Sequence, residues 1–233
     1  MAEQKKPLVL DLHIPYCIQP ENFIDRMYAV GSNQEKNMYM VCLGREVLSY
    51  QGDLDGYEIR AIRLSGGSAS VMSPDLLGKV LNLVREKLPV GRGAELSYDA
   101  LPNTIGTPSL TGIAAGKPNR VELMMRSESD RELRALNSPF TMDDTRNAML
   151  FFQKFHLNNV SVTVNYGIPG QTVATWHNTL RACEIMRVKH VTVLPLDAAN
   201  DNTAREMGLP PFPSEAERLE MYRHACQFLE QAG

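Results

Sequence analysis

An alternation runs the length of this chain: short stretches rich in β-branched and apolar residues are followed by longer stretches of helical period, six times over. Strands are expected over 8–14, 59–64, 94–98, 120–125, 160–166 and 190–195. Helices are expected over 33–50, 73–88, 129–136, 142–156, 172–187 and 214–231, with a further helical stretch within 109–115. Strands that alternate with helices long enough to cross back over a sheet predict βα units and a mainly parallel sheet. A closed barrel of eight such units takes about 250 residues. Six units in 233 residues therefore predict the α/β class, as an open (β/α)6 partial TIM barrel forming one domain over 1–233.

Composition bears on partners more than on fold. With 43% apolar and 22% charged residues the chain can bury a sizeable core. The formal charge of -3 and the scattered Lys and Arg leave no basic surplus for phosphates, so nucleic acid is not an expected partner. The apolar run over 8–14 is too short for a membrane span, and a cytoplasmic protein is expected. Cys17, Cys42, Cys183 and Cys226 lie far apart and make no close pair. The twelve methionines, several at helical spacing, read as core filling.

In parallel α/β barrels, ligand groups gather where strands pass into loops at their C-terminal ends. Here the first strand runs into His13-Ile14-Pro15-Tyr16-Cys17, the second into Ser65-Gly66-Gly67-Ser68-Ala69-Ser70, and the fifth into Tyr166-Gly167-Ile168-Pro169-Gly170-Gln171-Thr172. A Gly-Gly step between serines lets backbone approach a bound group and can offer amide donors to a carboxylate or phosphate. The same residues also dominate plain turns, so each junction alone reads as a turn, with Thr172 capping the next helix.

Taken in order, the three junctions resemble the oxygen-independent coproporphyrinogen oxidase family, with its related heme chaperones, of the radical S-adenosylmethionine type. That family's first loop has the His-Ile-Pro-aromatic-Cys pattern, followed by cysteines after three and then two further residues. Asp99-Ala100-Leu101-Pro102 stands where the family has Glu-Ala-Asn-Pro, and the Gly167 to Thr172 loop is followed by Trp176, as its Gly-Leu-Pro-Gly-Gln-Thr loop is by Trp. The resemblance implies a barrel that holds S-adenosylmethionine beside a 4Fe-4S cluster, and a C-terminal region that covers the barrel and helps to bind a tetrapyrrole; that region is expected to be absent here.

The departures fall on working residues. The second and third cysteine positions hold Glu21 and Ile24, which leaves Cys17 as one vestigial ligand of three, although Phe23 matches the aromatic before the last cysteine. Asp11 takes the place of a tyrosine, Asp99 that of the Glu holding the cofactor ribose, and Met124-Met125-Arg126-Ser127 that of a Gly-Val-Gln-Ser segment. Carboxylate is a poor ligand for soft metal and isoleucine none, so no stable cluster is expected. Residues expected to line a remaining cofactor pocket are Ser65, Gly66, Gly67, Ser68, Asp99, Arg126, Gly167, Ile168 and Gly170. The expectation is a degenerate member without radical catalysis, whose ligand is S-adenosylmethionine, a nucleotide or a tetrapyrrole. Two alternatives stand beside it: a docking or regulatory partner of another protein, and an active oxidoreductase resembling coproporphyrinogen dehydrogenase with an atypical cluster. Trp176 is expected to pack in the core, the histidines show no metal spacing, and Asp143-Asp144 suits a helix start.

Overall fold

The computed structural model describes residues 5–24, 28–106, 118–196 and 201–233. Among them are strands β1 (Lys6–Ile14), β2 (Tyr57–Gly66), β3 (Val90–Ala100), β4 (Arg120–Arg126), β5 (Val160–Tyr166) and β6 (His190–Pro195). The α-helices are α1 (Asn33–Ser49), α2 (Pro74–Lys87), α3 (Asp130–Ala135), α4 (Met142–Lys154), α5 (Val173–Ile185), α6 (Asp201–Glu206) and α7 (Glu215–Ala232). The strands form one six-stranded sheet in chain order, β1-β2-β3-β4-β5-β6. The pairings β1–β2, β2–β3 and β5–β6 are parallel. No strand is skipped in this order. The helical stretch expected within 109–115 lies outside the described residues.

The chain falls into two compact units. The first takes in the described parts of 1–18, 28–100 and 104–121; the second takes in those of 19–27, 101–103 and 122–233. In the first unit, α2 buries Leu77, Val80, Leu81 and Val84, an i, i+3, i+4, i+7 stripe, and each such aliphatic group contributes about 1.5–3 kcal/mol. Leu12, Ile14, Ile59, Ile62, Leu64, Leu96, Tyr98 and Ala100 are among the buried apolar residues of its strands. In the second unit β4 and β5 are buried almost throughout, whereas β6 is intermediate or exposed along its length. Trp176 and Phe152 are the largest of its fully buried side chains, and the Trp176 indole N–H donates to the Met221 carbonyl at 2.8 Å. The core position expected of Trp176 is the one observed.

Most elements fall where expected, and three differences have physical causes. β3 starts at Val90, four residues early, because Val90 pairs with Ile59 and the ladder then jumps to Glu95 opposite Ala61. Gly93, at φ +76, turns within the bulge that this skip creates, a conformation without side-chain penalty only for glycine. Second, α2 covers Pro74–Lys87 where 73–88 is expected: Ser73 stays outside at the N-cap, without a side-chain cap bond, and the fixed φ of Pro74 at N1 starts the helix. Third, α6 was not expected from the sequence, since its six residues are too few to display a period.

Candidate functional site

In the first unit the C-terminal ends of β1, β2 and β3 bring together five of the expected residues, Ser65, Gly66, Gly67, Ser68 and Asp99. The ladder sets His13 opposite Ser65 and Ile14 opposite Gly66. Ser65 donates from Oγ to Asp11 Oδ1 at 2.5 Å. Gly66 sits at φ +107, and a Cβ there would lie 2.7 Å from the Ile14 carbonyl oxygen; one on Gly67 would lie 2.1 Å from that of Tyr16. The amides follow the same geometry, with Gly67 N donating to Ile14 O at 2.8 Å and Ser68 N to Tyr16 O at 2.9 Å. This loop spends its glycines on close backbone packing against 14–16, and two of its amide donors are engaged there.

What the loop presents beyond its backbone is a chain of hydroxyls. Thr104 Oγ1 donates to Ser70 Oγ at 2.6 Å, Ser70 and Ser68 share a 2.6 Å bond, and Ser68 Oγ donates to the Asp99 carbonyl at 3.4 Å. The Asp99 carboxylate is 1% exposed and is approached by Arg63 Nη2 at 3.4 Å, with the Arg63 side chain half in water. A buried carboxylate beside a cation is a chemically sound acceptor for a sugar hydroxyl. Cys17 is buried on the same unit, its amide bonded to the Ala29 carbonyl at 3.1 Å. The Tyr39 hydroxyl donates to the His13 carbonyl at 2.6 Å, and burial pushes its ionisation up, so it stays a donor at neutral pH.

In the second unit, Arg126 ends β4 at φ +62, a conformation uncommon away from glycine. Its guanidinium donates from Nη2 to Glu21 Oε2 at 3.0 Å and from Nη1 to Asn165 Oδ1 at 3.3 Å. Ser138 Oγ donates to Glu21 Oε1 at 2.5 Å, so both Glu21 oxygens are occupied. The loop from Gly167 to Thr172 is organised by Gln171, whose Oε1 accepts from Gly167 N at 2.7 Å and Ile168 N at 3.3 Å. Its Nε2 donates to Glu132 Oε2 at 2.9 Å, which also accepts from Ser127 Oγ at 2.6 Å. Gly167 and Gly170 sit at φ +82 and +73, Gly170 N donates to the Pro211 carbonyl at 2.9 Å, and Ile168 is fully buried with Phe23 and Leu196. Thr172 caps α5, as expected.

Sequence reasoning missed Arg63, Thr104, Asn165 and Ser138, which join these networks across 34 to 117 residues of sequence. No local spacing signals such partners. It also missed that His177 Nδ1 and His224 Nε2 meet at 2.9 Å between α5 and α7. Among the described residues no three His, Cys, Asp or Glu side chains gather as a metal-binding group.

Six strands in chain order, with the C-terminal loops just described, have the open (β/α)6 partial TIM barrel fold of the radical S-adenosylmethionine type. The coproporphyrinogen III oxidase HemN of Escherichia coli, a radical SAM enzyme, superposes with a TM-score of 0.85 over 100% of this chain and 54% of its own, at 19% identity. The queuine lyase of Clostridium spiroforme, bound to SAM and queuine, superposes at 0.60 over 97% of this chain and 87% of its own, at 14% identity. No protein-family model matches the chain. In sequence it is similar to the heme chaperone HemW of Escherichia coli, 23% identical over 228 residues that cover 97% of this chain and 60% of that protein. HemW of Synechocystis is 26% identical, over 97% of this chain and 57% of that protein. The mitochondrial radical S-adenosyl methionine domain-containing protein 1 of Danio rerio is 22% identical, over 96% and 51%. In sequence and in fold the chain is thus similar to radical SAM proteins of the HemN/HemW-like kind. It spans about three fifths of the length of the heme chaperones it matches.

Proposed function

We propose that this chain is a degenerate HemN/HemW-like protein that binds a small molecule and carries no 4Fe-4S cluster. One observation carries the reading: at position 21, where the resembled loop has its second cysteine, both oxygens of a carboxylate are already bonded within the protein. Ile24 offers no donor at the third position, so only one of the three positions holds a thiol, that of Cys17. Iron-sulfur clusters are held by thiolates, so the donor set present does not fit one, and no chemical step is derived through it.

What supports a surviving pocket is the polar furniture of the two loops. The buried Asp99 carboxylate would accept a ribose hydroxyl, and the Ser68, Ser70 and Thr104 hydroxyls would orient polar groups beside it. The ligand is S-adenosylmethionine, as the family's cofactor, or a tetrapyrrole, since relatives are named for heme and coproporphyrinogen. The test is calorimetric titration of the iron-free protein with S-adenosylmethionine and then with a porphyrin, alongside anaerobic reconstitution with iron and sulfide. Saturable micromolar heat from either ligand, with under about one iron per chain, is expected. A brown product with about four irons per chain would overturn the reading.

One feature favours a docking role as the second reading. A groove of about 340 Å³ opens beside α5 in the second unit, lined by Met142, Ile185, Met186, Arg146 and Arg181. Ile185 is 70% exposed at its rim. No heat from either small molecule would move the assignment to this surface.

A further inference from the structure

We propose that Glu21 and Arg126 are a single matched replacement, an ion pair that holds the 19–24 segment in place where the resembled family uses a cluster thiolate. This deepens the proposed cluster-free function and rests on it. In sequence the two departures stand 105 residues apart and look like separate drift. One fills the second cysteine position of the first loop and the other the glutamine position of the Gly-Val-Gln-Ser segment. In the structure they are each other's partners at 3.0 Å, with each side chain only 9% exposed.

Neither residue is tolerable there alone. A carboxylate or guanidinium taken out of water without a counter-charge is strongly destabilising, whereas the pair satisfies itself at close range. The remaining bonds fix its geometry: Ser138 closes the free side of Glu21, and Asn165 holds the second guanidinium nitrogen. Within the pair, Arg126 Nε is the buried atom without a hydrogen-bond partner among the described residues. The φ of +62 at Arg126 belongs to the same arrangement, because backbone strain of this kind persists only where surrounding bonds over-determine it.

The rest of the segment is anchored without metal as well. Gln19 Nε2 donates to the Asn137 carbonyl at 2.6 Å and Asn137 Nδ2 to the Pro20 carbonyl at 3.0 Å. Asn22 donates from its amide to Leu136 O at 2.6 Å and from Nδ2 to Ala135 O at 3.0 Å. Phe23, at φ +61, plugs the apolar cluster of Leu136, Ile168 and Leu196 and meets Phe212 edge-on at 5.0 Å. The segment is thus sewn to the C-terminal end of α3, with the ion pair as its one charged tie.

A double-mutant cycle tests this on the whole chain: Glu21→Gln, Arg126→Gln and both together, each followed by urea unfolding and by iron content after anaerobic reconstitution. Each single change is expected to lower the unfolding midpoint, and the double variant to recover at least half of the larger loss. If a single variant does not fold, a folded double variant reports the same coupling. Losses that simply add, or a double variant that is itself unfolded, would overturn the pairing. Iron content separates this failure from failure of the cluster-free reading: about four irons on the parent chain would remove both, while additive losses on an iron-free chain would remove only the matched pair.

Discussion

Ser214 and Glu217 close the start of α7 as a reciprocal box, in which Glu217 Oε2 accepts from Ser214 N at 2.7 Å and the Glu217 amide donates to Ser214 Oγ at 3.3 Å. The Ser214 hydroxyl, and then its backbone, hold the Glu217 carboxyl below its ordinary value, as Ser32 does for Glu35 at α1. A carboxylate lowered in the folded state stabilises fully above the unfolded value of about 4.3 and loses that contribution as pH falls through the lowered one. Glu217→Ala should therefore lower the melting temperature at pH 7, and the gap to the parent should close towards about pH 3. Melting curves across this range decide it; a gap unchanged at low pH would show that the loss is not electrostatic. Both partners of such a box lie within one turn, as Ser-x-x-Glu, so its signal is local. Cys183 illustrates the opposite case: burial pushes its thiol up to about 12, so it should resist alkylation in the native state while exposed Cys42 and Cys226 react. Mass spectrometry after a short iodoacetamide pulse would show this, and rapid labelling at 183 would mean that α5 opens locally.

Elements show where local signals run out. Helices α3, α4 and α5 end on Asn137, His156 and Arg187, all in the left-handed region. Ser138 N reaches back to Leu133 O at 3.0 Å and Leu157 N to Phe152 O at 2.9 Å, the Schellman pattern usually marked by glycine. Without that glycine the ends expected at Leu136, His156 and Arg187 fall within two residues of the observed ones, yet the closing conformation was invisible. The loop before α5 is clearer. Gly170 combines φ +73 with a close approach, since a Cβ there would stand 2.9 Å from Pro210 Cβ. Gly170→Ala should cost about 1–3 kcal/mol, from the forced positive φ and the displaced proline. Chemical denaturation measures it, and a neutral result would mean that the 209–213 segment yields freely. The sequence marked this loop as a turn with special glycines, but Pro210 and Pro211, which make the glycine necessary, lie forty residues on.

For the molecule as a whole, burial along the sheet sets an order of stability. β4 and β5 are buried almost end to end, while β1 alternates and β6 is half exposed, the pattern of inner and edge strands. Backbone amides of β4 and β5 should exchange slowest with deuterium, and those of β6 markedly faster. Exchange at β6 as slow as at β5 would show that its outer edge is covered in solution. The strand count, the parallel βα order and the three glycine-bearing junctions at strand ends followed from sequence alone, because hydrophobic period and turn chemistry are local properties that neighbouring residues express together. Which residues answer one another was decided only by the tertiary structure: Glu21 with Arg126, Asp99 with Arg63, Gln171 with Glu132 and Gly67 with the Tyr16 carbonyl. Buried charge and close backbone approach are satisfied by whatever the fold brings within about 3 Å, and that distance bears no relation to separation along the chain.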